Sequence, residues 1–171
     1  YDQLVSYGEI LSSVIISEYL NSIGLKSKWV DARSCIKTDQ YYRDANVDFE
    51  KTSKSIKRKI KGKGLFISQG FIGSNKKSFT TTLGREGSDY SAAIFAHALN
   101  AESVTIWKDV RGVLNADPRY FNKTKLLNKI SYEEAIELAF YGASVIHPKT
   151  LQPLKKKKIP LYVKSFLSPS R

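Results

Sequence analysis

A charged loop punctuated by glycine, running straight into an alanine-rich helix, constrains this chain more than any other segment: TTTLGREGSDYSAAIFAHALN, Thr80 to Asn100. Gly84 and Gly87 let the backbone turn tightly and approach a ligand, and Ser88 and Asp89 are placed to cap the free N–H groups at the helix start. Arg85 adds a planar fork suited to a carboxylate or phosphate. A helix N-terminus carries partial positive charge, so loop and helix together are expected to favour an anionic small molecule over an apolar one.

The segments on either side supply a layered framework. Leu11, Val14, Ile15, Leu20 and Ile23 recur at near-helical spacing before Gly24, which predicts a core-facing helix over Glu9 to Ile23. Trp29 and Val30 read as a short strand, Thr38 to Asn46 as an irregular excursion, and the charged run from Phe49 to Gly62 as an exposed helix. Leu65 to Ile67 and Val104 to Trp107 read as buried strands, Ser74 to Ser78 as a hairpin tip, and Ile159, Leu161 and Val163 as a final strand. Ser131 and Glu134 have capping-box spacing ahead of a stripe formed by Ala135, Ile136, Ala139 and Phe140, with Gly142 to end that helix. Alternating strands and helices predict an α/β, three-layer αβα architecture with a mainly parallel sheet, and residues 1–171 read as one partial domain.

The net charge of +12 opens two readings, attraction of phosphates on a nucleic acid or attraction of a nucleotide and an acidic substrate. The densest clusters, Lys54 to Lys63 and Lys155 to Lys158, lack the interleaved aromatics of a single-strand platform and read first as solvated faces. No apolar run reaches the length of a bilayer span, and the first residues do not form a signal peptide, so neither membrane nor nucleic acid is expected as a partner. Cys35 is the single cysteine and reads as a buried bystander in a reducing compartment, the cytoplasm. His97 and His147 share no cysteine and histidine spacing of a zinc site, so both read as structural and no metal ligands are assigned.

The Thr80–Asp89 run resembles the TTTLGRGGSD signature of the aspartokinases, within the amino-acid kinase superfamily. The resemblance continues through SYGE (Ser6 to Glu9), QGFIG (Gln69 to Gly73), WKDVRGVLNADPR (Trp107 to Arg119) and SYEEAIELAFYGASVIHPKTLQP (Ser131 to Pro153), in the family's order and over nearly the whole chain. It implies the carbamate kinase-like fold and transfer of the γ-phosphoryl group of ATP, with magnesium, to the side-chain carboxylate of L-aspartate. The nucleophile is already anionic, so positioning and charge should dominate over general-base help. Family members begin with a strand and a KFGG-type loop around the ATP phosphates. Tyr1 leading directly into SYGE, and a chain without methionine, therefore predict the truncated catalytic domain of a longer enzyme, inactive alone, and the resemblance implies that the full-length protein is a homo-oligomer.

Carried over residue by residue, the resemblance implies that Arg85 clamps the substrate α-carboxylate and that Glu9 meets its ammonium group. Thr82, Ser88 and Asp89 complete that pocket, with Arg85 and Asp89 as the catalytic pair. Asp89 reads equally as a first-turn cap. Lys108, Asp109, Leu114 and Arg119 fall on nucleotide-contact positions, as do Ser144 and Val145, although Arg119 also reads as a turn-stabilising partner of Asp117. Two departures stand out. Glu86 replaces a family glycine, and Ser144 replaces a family lysine whose charge must come from Lys108 or Lys149. A kinase acting on glutamate or acetylglutamate, and a non-catalytic basic binding module, remain the alternatives.

Overall fold

The computed structural model describes residues 1–117, 119–141 and 145–169. Asp2–Ser22 forms α1, which starts earlier than its periodicity predicts and buries the opposite side. Ser6, Ser13 and Ser17 are buried, whereas Leu11 is 60% and Ile15 67% exposed. The buried serines work because each hydroxyl finds partners. Ser13 Oγ donates to Ile10 O and accepts from Trp29 Nε1 and Gln69 Nε2 at 2.9, 3.0 and 2.6 Å, filling its one donor and two acceptor sites. Ser17 Oγ meets Ser27 Oγ at 2.8 Å. Small polar side chains thus let α1 lie close against the strand below, and the expected core-facing stripe points outward.

That strand, β1 (Ser27–Val30), runs parallel to β2 (Leu65–Ser68) with Ser27 opposite Leu65 and Val30 opposite Ser68. Between them lie α2 (Ala32–Cys35) and α3 (Phe49–Lys59), the latter capped by Asp48, whose side chain accepts from Lys51 N–H. An antiparallel hairpin follows, β3 (Ile72–Ser74) with β4 (Thr80–Thr82), and leads into α4 (Gly87–Leu99). After β5 (Val104–Lys108) and an irregular stretch come α5 (Tyr132–Phe140), α6 (Pro148–Lys157) and β6 (Leu161–Ser165). β6 is parallel to β5, pairing Val104 with Leu161 and Lys108 with Ser165. The parallel sheet is therefore present as two separate pairs, β1–β2 and β5–β6, which no strand joins among the described residues.

α1 packs on β1, β2 and β4, while α4 is central to a helical layer with α3 and α6 and touches β5 and β3. One core cluster gathers Ala93, Ala96, Val104, Ile106, Leu151 and Leu154; a second gathers Cys35, Ile36, Ile56, Leu83, Tyr90 and Ile94. The capping box of α5 is present in full, but of its predicted stripe only Ala135 and Ile136 reach the core, and Phe140 is 82% exposed beside Tyr141. Gly142, the expected stop, lies outside the described residues. α6 lies where the sequence reads only as the solvated basic face of Lys155 to Lys158, with Pro153 inside the helix. His147 as N-cap and Pro148 in the first turn are the start signals.

Candidate active site

The chain leaves β4 at Thr82 and turns through Leu83 to Glu86 into α4, a path that requires left-handed backbone at Gly84 (φ 78°) and Glu86 (φ 53°). Glu86, not Ser88 or Asp89, is the N-cap residue, and no side chain caps α4. Ser88 is instead exposed on the first turn. The QGFIG segment forms the bed of this loop. A Cβ at Gly70 would stand 2.9 Å from Ser88 Cα, so only glycine allows the approach. Leu83 N–H donates to Phe71 O (2.9 Å), Phe71 N–H donates to Ser91 Oγ (2.9 Å), and Ser91 Oγ donates to Gly87 O (2.8 Å).

Lys108 arrives from the far side, at the last position of β5. Its Nζ donates to Val145 O at 2.6 Å and lies 2.9 Å from Asp89 Oδ2 and 3.8 Å from Glu86 Oε2. The Asp89 contact is an ion pair without hydrogen-bond alignment, so the buried Oδ2 has no directed donor among the described residues. Glu86 Oε2 accepts the His147 N–H at 2.9 Å. Side chains at Lys108, Glu86 and Asp89 are 19%, 20% and 17% exposed, dry enough for charge to act more strongly than on an open surface. The glycine-bearing loop into α4, the end of β5 and the 145–147 turn thus meet at one lysine.

Beside the cations expected of an anion site, the helix start also carries two carboxylates. One ammonium against two carboxylates leaves a net negative charge at the start of α4, with the exposed Arg85 guanidinium one residue away. Glu86 Oε2 is taken up by the His147 N–H, so the surface left for a ligand is Asp89 beside the Arg85 guanidinium, which suits a molecule carrying both an ammonium and a carboxylate. Among the described residues no group of three or more His, Cys, Asp or Glu is arranged to hold a metal ion, and no helix is long and apolar enough to cross a membrane.

Comparison with known proteins decides the class. The family model described as the amino acid kinase family matches residues 1–165. The chain belongs to this family. It is 40% identical over 171 residues to lysine-sensitive aspartokinase 3 of Escherichia coli, a match covering 98% of this chain and 38% of that protein. It is 36% identical over 170 residues to the chloroplastic bifunctional aspartokinase/homoserine dehydrogenase 2 of Arabidopsis thaliana, covering 98% and 19%. Thus it spans about two fifths or less of these relatives' lengths. Among solved structures, E. coli aspartokinase III in complex with aspartate and ADP (R-state) superposes with a TM-score of 0.94 at 40% identity, over 99% of this chain and 38% of that one. The lysine and aspartate complex (T-state) gives 0.86 at 39% identity, over 99% and 39%. UMP kinase from Ureaplasma parvum, 18% identical with a TM-score of 0.64 over 94% of this chain and 60% of that one, shares the fold. The α/β amino-acid kinase fold expected from sequence is the one this family member has.

Of the expected substrate residues, Asp89 is drawn into the junction, and Arg85 and Ser88 are exposed beside it. Glu9 is half-buried on α1, and neither it nor Arg85 makes an ion pair among the described residues. Thr82 is buried and engaged elsewhere: its N–H and Oγ1 donate to Asp2 Oδ2 at 2.8 and 3.2 Å. Asp2 also accepts the Arg43 N–H at 3.0 Å, a structural role across the whole loop system that no sequence spacing discloses. Of the residues expected to contact nucleotide, Lys108 and Val145 meet directly, Asp109 follows in an exposed bend, and Leu114 is half-buried in a bridge to Leu126. Arg119 is 76% exposed and pairs with Asp117 at 2.7 Å, as its turn reading predicts. Ser144 lies outside the described residues. Lys149, the other lysine considered as a source of charge, is paired with Asp44.

His97 and His147 both have local structural partners, His97 through Nδ1 to Pro153 O (2.9 Å) and His147 through Nδ1, which accepts the Lys149 N–H (3.2 Å). Cys35 is fully buried, and burial raises its thiol pKa.

Proposed function

We propose that the chain is the acceptor-binding part of an aspartate kinase, which phosphorylates the side-chain carboxylate of L-aspartate to 4-phospho-L-aspartate, the first step toward lysine, threonine and methionine, in the cytoplasm and as a homo-oligomer. The observation that carries this reading is the Lys108 junction, where an acceptor loop suited to an amino-acid zwitterion meets the nucleotide segment. Its likeness to an enzyme solved with aspartate and ADP supports the choice of ligands.

In this reading Arg85 binds the α-carboxylate, and Asp89 with Glu9 binds the ammonium group. A side-chain carboxylate oxygen attacks the γ-phosphorus, the bond from that phosphorus to the β–γ bridging oxygen breaks, and ADP leaves with the charge. Lys108 lies where it can offset the repulsion between two anions, which is the main obstacle in such a transfer. Asp109, Leu114, Arg119 and Val145 are assigned to the nucleotide side, as is Ser144, which lies outside the described residues. Magnesium would be carried by the triphosphate with one or two carboxylates, the mode in which it keeps several waters.

The 171 residues contain no KFGG-type loop, so turnover is proposed for the full-length protein and not for this chain alone. An ADP-release assay with magnesium, ATP and L-aspartate, run on both, tests this. Preference for glutamate or acetylglutamate would move the activity to another member of the superfamily. Salt-sensitive nucleic-acid binding without response to aspartate or nucleotide would replace it with a binding module.

A further inference from the structure

We propose that Glu86 is a positioning residue, a latch that fixes the distance between the acceptor loop and the nucleotide turn; this rests on the phosphotransfer reading above. Its backbone is in a conformation that a glycine would adopt more readily, at φ 53° and ψ 31°, so the side chain is kept at a conformational cost. That side chain does not face open solvent. Oε2 accepts the His147 N–H at 2.9 Å, across a separation of 61 residues, and stands 3.8 Å from Lys108 Nζ. His147 is the N-cap of α6, and Val145, two residues earlier, holds Lys108 Nζ at 2.6 Å through its carbonyl. Glu86 therefore ties the start of α4 to the start of α6, and the short 145–147 turn connects that tie to the lysine.

A latch of this kind acts on geometry more than on affinity. Each half-site keeps its own ligand contacts without Glu86, but the spacing of donor and acceptor loses its brace. Small misplacements of reacting groups cost turnover steeply while leaving binding little changed. The useful variants are Glu86→Gly, which removes the tie and relaxes the left-handed backbone so that folding is preserved, and Glu86→Gln, whose amide oxygen can still accept the His147 N–H.

Two measurements on the full-length protein decide the matter: kcat with separate binding titrations of ADP and L-aspartate, and amide hydrogen exchange at His147. In Glu86→Gly we expect kcat to fall by about tenfold or more, both dissociation constants to stay within about twofold, and His147 to lose exchange protection. Glu86→Gln should restore the protection and most of kcat. Wild-type turnover in Glu86→Gly, protection that survives there, or a glutamine variant that behaves like the glycine one overturns the latch. A wild-type protein without turnover counts against the phosphotransfer reading instead, and the exchange result then decides the latch alone.

Discussion

Replacing Lys108 with alanine should destabilise the fold itself, by an amount the junction allows to be worked out. The substitution removes the only ammonium group facing Asp89 and Glu86 among the described residues, together with the donor to Val145 O. Breaking a fully buried pair by deleting one partner costs about 3–5 kcal/mol, because the remaining charge is left without compensation. Here the side chains retain about a fifth of their exposure, which lets water reach them, so about 2–3 kcal/mol is the appropriate scale. For a domain of this size that corresponds to a fall in Tm of about 4–12 °C. Much of the loss comes from the stranded Asp89 carboxylate, so adding Asp89→Asn to Lys108→Ala should recover more than half of it. Guanidinium denaturation of the wild type, both single variants and the double variant gives all four values needed. A Lys108→Ala loss below about 0.5 kcal/mol, or a double variant no more stable than Lys108→Ala, would refute the assignment of a partly dry ion pair.

Two further outcomes bear on the framework. Leu154→Ala empties a fully buried position in the cluster between α4, α6 and β5 and should cost about 2–5 kcal/mol in chemical denaturation; near-neutral behaviour would show that the cluster repacks. At Asp31, burial raises the carboxyl pKa, but hydrogen bonds from the Arg33 side chain and amide outweigh it and hold the folded value below the ordinary one. A depressed folded pKa contributes stability that is present above about pH 3.9 and lost as pH falls through the folded value, so the denaturation midpoint should drop less steeply between about pH 5 and pH 2 in Asp31→Asn than in the wild type; matching slopes would exclude Asp31 from the acid response.

Much of this molecule could be read from local pattern. The α5 capping box, the β5 and β6 strands and the glycine-bearing turn into α4 follow from short-range rules, and the SYGE, QGFIG and GREGSD motifs pointed to the right family. What escaped reading depends on partners far away in sequence. Periodicity places an apolar stripe on α1 but does not say which side of the helix will be covered, and the buried serines find Trp29, Gln69 and Ser27 only once β1 and β2 are assembled. The same holds for the candidate site. Asp89 looks like a cap because it stands in a first turn, yet its partner is 19 residues away on β5. Thr82 looks free for a ligand until Asp2 is folded against it, 80 residues distant.

α4 has core on two sides, Ala93 and Ala96 in one cluster and Tyr90, Ile94 and Ala98 in the other. Its 13 residues make a rod about 20 Å long, wedged between packed walls and unable to bend easily. Asp89 rides on one end; His97, anchored to Pro153, rides near the other. Such a rod works as a lever. A tilt of about 6° around its middle carries each tip about 1 Å, the scale on which the alignment of reacting groups is won or lost. The far end of α4 is therefore geared to the loop that precedes Asp89 through the stiffness of a single helix.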